Sequence, residues 1–281
     1  MDFPKSVPGV GLVNGAFVDE NPLTGTPGSL IPAAWGNAAT YELLNVIVAA
    51  GMTPSEADQT QLLQAVRYLA QTPGRLLNVR VITTSGTYIP TPGTNSIIVE
   101  ALGGGGGGGG ANAAGAGQVS AGGHGGGGAY AKGRFTSGFY GQGITIGNGG
   151  AGGGVAVAGG STSLGGLISA SGGFGGAAGV GFTPPGSSGG ATQGGISVVG
   201  GNIVTASGFI AQATVAVSAT AIINVQGAPS QYGPGPSGGF GNGTTATIKG
   251  SGGTGALAGP SSGPFNGGPG APGVMIIWEY T

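Results

Sequence analysis

Residues 101–115 read ALGGGGGGGGANAAG: eight consecutive glycines, directly after the apolar run Ser96-Ile97-Ile98-Val99-Glu100. A strand-like segment that passes straight into bare backbone allows two readings. Polyglycine is the usual material of flexible linkers and loses more conformational entropy on ordering than any other sequence. Alternatively, the fold uses main chain without side chains as a packing unit. The remainder of the sequence favours the second reading.

The chain has 281 residues, with 71 Gly, 18 Pro, no Cys, 5% charged residues and a formal net charge of -1. The glycine content approaches that of collagen, but the strict Gly-X-Y period is missing and Pro is too sparse. Disordered chains combine low hydrophobicity with high charge, whereas this one is 39% hydrophobic and nearly uncharged. Without cysteine there is neither a disulfide scaffold nor a thiolate metal site. The opening Met1-Asp2-Phe3-Pro4-Lys5 has no apolar core, so no signal peptide is expected. Ile203 to Val225 is long and charge-free, yet Gln212 and Asn224 interrupt it and Thr214 to Thr220 alternates with period two. That pattern favours strands over a membrane helix. Near-zero net charge gives no electrostatic reason to expect a nucleic-acid partner.

Three zones follow. Residues 1–30 are punctuated by Val7-Pro8-Gly9, Asn21-Pro22 and Thr26-Pro27-Gly28, and read as an extended arm that gains order against a partner. Residues 31–75 read as a helical hairpin. Pro32 opens a first helix over Ala33 to Ala50, which Gly51 stops. Thr53-Pro54-Ser55-Glu56 forms a capping box opening a second, which continues through Leu62, Leu63, Val66 and Leu69 to end before Pro73-Gly74. Two such helices bury too little surface alone, and Leu63, Val66 and Leu69 suggest a self-association seam. Residues 76–281 read as strands separated by glycine tracts. The strands are expected at Val79 to Thr83, Thr87 to Ile89, Ser96 to Glu100, Ala129 to Phe135, Ile144 to Ile146, Leu164 to Ser169, Thr245 to Ile248 and Val274 to Tyr280.

From Phe135 to Ile248 there is no charged residue, against roughly one-quarter in ordinary domains. Gly122 to Gly128 and Gly147 to Gly154 repeat the glycine pattern. A polyglycine II helix, with three residues per turn, about 3.1 Å rise and no internal hydrogen bonds, points its backbone groups outward to neighbours. Only Gly lets such helices pack closely on all sides. Ordering costs about 1–2 kcal/mol of backbone entropy per residue, so the tracts need a dense hydrogen-bond lattice anchored by strands. The expected fold is mainly β with polyglycine II helices, a small N-terminal α-helical hairpin, and a glycine-rich, β-sandwich-like C-terminal domain in a homotrimer.

The chain also resembles a known family. Met1 to Val10, Gly28-Ser29-Leu30-Ile31-Pro32-Ala33 and Thr53 to Leu62 look like the N-terminal region of tail fibre proteins from tailed bacteriophages and prophages of Gram-negative bacteria. Thr84-Ser85-Gly86-Thr87-Tyr88, Ile97-Ile98-Val99-Glu100-Ala101-Leu102 before its Gly run, Gly127-Gly128-Ala129-Tyr130-Ala131 and the closing Gly270 to Tyr280 look like the glycine-rich C-terminal domain of such fibres. The resemblance implies a homotrimer in the virion, held to the tail or baseplate by its N-terminal region, whose C-terminal domain meets the host surface.

Catalysis is not expected. The one histidine, His124, lies in Gly-Gly-His-Gly; three copies on a threefold axis could hold a metal, but a hydrogen-bonded or solvent-facing ring is the plainer reading. Glu100 and Glu279 lie in the first and last strong strands. Two carboxylates about 5–10 Å apart would suit a glycosidase, and outward-facing strand residues are the plainer reading. No cofactor is expected. Binding is better supported. Phe174, Phe182, Tyr232, Phe240 and Phe265 sit in Gly/Pro/Ser segments, where flat rings on rigid loops suit sugars and nearby amides and hydroxyls reach their OH groups. The competing reading makes these rings plugs at the ends of the glycine lattice. The expected function is therefore adsorption to a host surface glycan, with lipopolysaccharide foremost. An outer-membrane protein or pilus receptor, a purely structural fibre component and a glycan depolymerase are the alternatives.

Overall fold

The computed structural model describes residues 4–70 and 74–281 and divides into two compact units, Met1–Pro73 and Gly74–Thr281. Met1-Asp2-Phe3 of the fibre-like motif and the Pro73 helix stop lie outside the described residues.

In the first unit, residues 4–30 are turned back on themselves rather than extended. Val13 and Ala16 exchange hydrogen bonds, Asn21 pairs with Thr26, and the Ser29 and Leu30 amides reach the Val18 and Val10 carbonyls. Gly15 (φ 81°) and Gly25 (φ 66°) supply left-handed turn positions. Helix α1, Ala33–Ala49, follows Pro32. It ends where Gly51 turns left-handed at φ 74° and the Met52 amide returns to the Ile47 carbonyl.

Helix α2 spans Gln61–Ala70, so Thr53 to Glu56 does not cap it. The Asp58 carboxylate accepts the Thr60 amide (2.8 Å), and Gln61 ties the preceding turn to itself through Ser55 N–H (2.7 Å) and the Thr53 carbonyl (2.8 Å). These local bonds outcompete an earlier helix start. The hairpin core is Ile47, Ala50 and Ala65, with Leu44, Val46, Met52 and Leu69 packed on it. Leu69 therefore serves the hairpin, while Leu63 and Val66 face outward and are about half exposed.

The second unit is mainly antiparallel β. Its principal sheet orders the strands Leu76–Ile82, Val274–Tyr280, Ser96–Leu102, Tyr130–Phe135 and Val204–Ala206. A second five-stranded sheet joins Val198–Val199, Ile168–Ala170, Thr162–Leu164, Gly143–Thr145 and Gly86–Thr87. Alternate residues of the first sheet (Ile97, Val99, Ala101, Met275, Ile277) meet Ile144, Leu164, Ile168 and Ala170 of the second in one buried cluster. The β-branched runs thus fold as the period-two pattern requires. Three expected strands differ. Of Thr87 to Ile89 only Thr87 lies in a strand, the two-residue Gly86–Thr87. Leu164 to Ser169 contains a turn at Gly165 (φ 48°) between two short strands. Thr245 to Ile248 has no ladder; its Ala246 amide bonds singly to the Pro269 carbonyl. No helix of the described residues is long and apolar enough to cross a membrane.

The Ser96–Leu102 strand runs on into Gly103 to Gly110, all eight buried. Their amides are shared among three neighbours in rotation. Gly103, Gly106 and Gly109 donate to the carbonyls of Ala129, Gly126 and Gly123; Gly104, Gly107 and Gly110 to Gly160, Val157 and Gly154; Gly105 and Gly108 to Ala271 and Gly268. Each partner steps back three residues, so these neighbours run antiparallel. The carbonyls accept from three further segments: Gly104, Gly107 and Gly110 from Gly173, Gly176 and Gly179; Gly105 and Gly108 from Gly150 and Gly153; Gly106 and Gly109 from Gly253 and Ala256. These partners step forward by three and run parallel. One bare chain thus sits among six others.

The absence of side chains is required at each turn of this run. A Cβ on Gly103, Gly106 or Gly109 would stand 2.0–2.1 Å from the carbonyl oxygen of Ser171, Phe174 or Ala177; on Gly104 or Gly107, 2.1–2.2 Å from that of Asn148 or Ala151; on Gly105 or Gly108, 1.9 Å from that of Ser251 or Thr254. The contacted residues are the non-glycines of Ser171-Gly-Gly-Phe174-Gly-Gly-Ala177, Asn148-Gly-Gly-Ala151 and Ser251-Gly-Gly-Thr254. An X-Gly-Gly triplet places two residues of three toward bare neighbours and one where a side chain has room.

Candidate functional site

At the end of the glycine run remote from the principal sheet, loops cluster around Ala111. Ala111 exchanges two 2.9 Å hydrogen bonds with Phe265, and the Asn112 amide reaches the Gly179 carbonyl. A small three-stranded sheet (Leu257–Ala258, Val119–Ala121 and Gly181–Phe182) closes this end. Phe182 pairs in register with Val119, and Gly241 bridges Leu257 beside Phe240.

Three of the five expected rings therefore belong to this end. Phe265 is half-buried against Ala111, Ala114, Ala256 and Ala258, as a plug would be. Phe182 is half-buried beside Gly186, and Phe240 is about half exposed above Gly259. Around them stand Asn112, Thr183, Ser261 and Asn266, all exposed. No charged residue occurs between Leu102 and Ala131, between Phe135 and Ile248, or from Gly250 to Trp278. The charges of this unit lie on or beside the principal sheet instead. Nothing at the loop end can form an ion pair with a ligand; it offers rings, hydroxyls, amides and main-chain groups.

The other two rings lie elsewhere. Phe174 is half exposed partway along the lattice, its amide on the Gln193 carbonyl and its own carbonyl on the Gly126 amide. Tyr232 is at the sheet end, where its hydroxyl donates to Glu100 (3.0 Å).

Glu100 and Glu279 do not form a pair. Glu100 is in register with Ile276 and Glu279 with Ile97, so the two carboxylates point from opposite faces of one sheet. Neither faces outward into water. Glu100 binds Lys132 Nζ (2.9 Å) and Tyr232, and Lys132 lies 5.2 Å over the Trp278 ring. Burial and the neighbouring Glu100 charge push the Tyr130 hydroxyl up to about 12. Glu279 is fully buried and takes Arg80 Nε (3.1 Å), the Tyr88 hydroxyl (2.8 Å) and the Thr91 hydroxyl. Burial, then the bond to Glu279, raises the Tyr88 pKa above the ordinary phenol value. Each carboxylate thus has its lone pairs committed to structure. Replacing Glu279 by Ala would leave Arg80, Tyr88 and Thr91 without their acceptor. With Arg80 about one-third exposed, we expect a loss of about 2–3 kcal/mol in urea denaturation.

His124 is fully buried with both ring nitrogens engaged. Nδ1 accepts the Gly255 amide (2.8 Å), which places the proton on Nε2, beside Thr214 Oγ1 (2.7 Å) and the Asn224 carbonyl (3.0 Å). No nitrogen is left for a metal, and no cluster of metal-ligating side chains occurs among the described residues. Sequence reasoning could single out His124 as the one long side chain in Gly122 to Gly128. Its partners 90 to 131 residues away carried no local signal.

No family model and no curated protein matches the chain.

Proposed function

We propose that this chain is a tail fibre protein of a bacteriophage or prophage, a homotrimer in the virion that attaches to the tail or baseplate through its N-terminal region. In this reading the glycine tracts are polyglycine II helices, and their lattice is a rigid stalk for the loop end, which binds a host surface glycan, with lipopolysaccharide the first choice. The three-residue rotation of hydrogen-bond partners around Gly103 to Gly110 supports the helix type. The outward Leu63 and Val66 support self-association. The observation that carries the binding role is the uncharged loop end, where Phe182 and Phe240 stand among exposed hydroxyls and amides on backbone fixed by the lattice. Rigid placement lowers the ordering cost of binding, and three copies per fibre let weak contacts sum.

Purified full-length protein should bind host cells and block phage adsorption. Removal of surface polysaccharide should abolish both effects. Phe240→Ala with Phe182→Ala should weaken cell binding at least tenfold while leaving thermal unfolding within a few degrees of wild type. Wild-type protein that neither binds cells nor blocks adsorption would move the reading to a structural fibre component. Binding that survives polysaccharide removal would move it to a protein receptor. Release of oligosaccharide would point to a depolymerase.

A further inference from the structure

A cleft of about 100 Å³ lies between the segment at Ile210–Gln212 and that at Asn224–Pro229. Both walls are pinned. Ala211 exchanges two hydrogen bonds with Thr192 (2.8 and 3.0 Å), and the Ala228 amide reaches the lattice at the Gly125 carbonyl (3.1 Å). The corner is Asn224, held left-handed at φ 60° with its carbonyl on His124 Nε2–H. The buried imidazole thus fixes the backbone that presents the Asn224 side chain.

Three carboxamide residues line this cleft. Among the described residues, the Gln212 and Asn224 side chains have no hydrogen-bond partner, and Gln226 spends only one donor, on the Gly235 carbonyl (3.3 Å). Ile210, 61% exposed, and Pro229 complete the lining with apolar surface. Each amide offers a donor pair and an acceptor side by side, which suits neighbouring hydroxyls that both give and take. An apolar wall beside them suits the C–H face of a pyranose ring. With no charged residue from Phe135 to Ile248, an ionic ligand would lose hydration and gain no partner.

We propose that this cleft is a second binding site, specific for one neutral, hydroxyl-bearing sugar residue, held by Gln212, Asn224 and Gln226 against Ile210. The site rests on the reading that the protein engages an envelope glycan. It would take a side branch or chain terminus while the loop end takes another part of the same polymer.

The test is saturation-transfer NMR on the full chain with methyl glycosides of neutral hexoses and deoxyhexoses, and methyl glucuronide as the charged control. At least one neutral glycoside should give weak, fast-exchange binding, and the glucuronide none. Gln212→Ala and Asn224→Gly should each weaken binding about tenfold, the loss of one hydrogen-bonding group; glycine keeps the left-handed backbone. With the loop end silenced by Phe182→Ala and Phe240→Ala, a signal should remain, and adding Ile210→Trp should fill the cleft and abolish it. Absence of binding by every neutral glycoside overturns the site, as does binding in the Phe182→Ala, Phe240→Ala background that survives Ile210→Trp. Neither result bears on adsorption itself, which the cell-binding assay reads separately.

Discussion

Gly108→Ala is expected to destabilise the protein by about 3–5 kcal/mol, although it adds a single methyl group. The new Cβ would lie 1.9 Å from the Thr254 carbonyl oxygen and 2.3 Å from its carbon. That carbonyl cannot swing aside, because it accepts the Gly268 amide (2.9 Å), while the Thr254 amide is held by the Thr244 carbonyl (3.1 Å). Moving Gly108 instead would break its own bonds to the Gly268 carbonyl (2.8 Å) and the Gly153 amide (3.3 Å). Overpacking alone costs about 1–3 kcal/mol, and each lost buried hydrogen bond adds about 1 kcal/mol. Gly239→Ala is the control. Its Cβ meets nothing within 4 Å, so its effect should stay within about 0.5 kcal/mol. An alanine scan over Gly103 to Gly110 tests the geometry further. In a β-strand, alternate positions would tolerate the methyl group; here every position should fail. Wild-type thermal unfolding of Gly108→Ala, or a two-residue period in the scan, would overturn the account of bare backbone as framework.

The sequence made the type of construction readable but not its wiring. The runs Ser96 to Leu102 and Val274 to Tyr280 announce strands because Ile, Val and Met recur at every second position toward one buried face. The eight glycines announce close packing because nothing else in so uncharged a chain explains them. What stayed hidden depends on contacts distant in sequence. The opposite orientation of Glu100 and Glu279 follows from a register set between strands some 180 residues apart in the chain, and Glu279 meets Tyr88 and Thr91 across a similar span. Of the candidate rings, Tyr232 sits in the same Gly/Pro/Ser context as Phe240, yet its hydroxyl is spent on Glu100. Composition cannot separate the two. One signal was present and easy to miss. The X-Gly-Gly triplets at Asn148, Ser171 and Ser251 share the three-residue period of the central run, though Ser, Phe and Thr make them look less glycine-rich than they are.

The glycine tract Gly122 to Gly128 carries one large, fully buried side chain, His124, and that position should be nearly as sensitive. His124→Ala is expected to cost about 3–5 kcal/mol, because it opens a cavity and strands the Gly255 amide, the Thr214 hydroxyl and the Asn224 carbonyl. Acid should act on the same clamp. Burial holds the His124 pKa below its ordinary value, against a smaller opposing contribution from the Asn224 carbonyl. No Asp, Glu, Lys or Arg occurs in the packed segments Gly122 to Gly128, Thr214 to Asn224 or Ser251 to Ala256, so no charge there can favour an imidazolium. A proton on Nδ1 would confront the Gly255 N–H, donor against donor. Above about pH 6.5, the value of an unperturbed imidazole, the ring is neutral whether the chain is folded or not, and the clamp contributes in full. As pH falls below that value, the unfolded chain binds a proton that the folded ring refuses. Stability then declines by up to about 1.4 kcal/mol per pH unit until the depressed folded pKa is reached. The wild-type advantage over His124→Ala in urea midpoint should therefore shrink between pH 7 and 5; the carboxylates titrate in both proteins and cancel in the difference. Because the chain has a single histidine, its ring Cε1–H resonance is unambiguous and should stay at the neutral position well below pH 6.5. A folded-state titration midpoint at or above 6.5 would mean that the imidazole is not the neutral, two-sided clamp described.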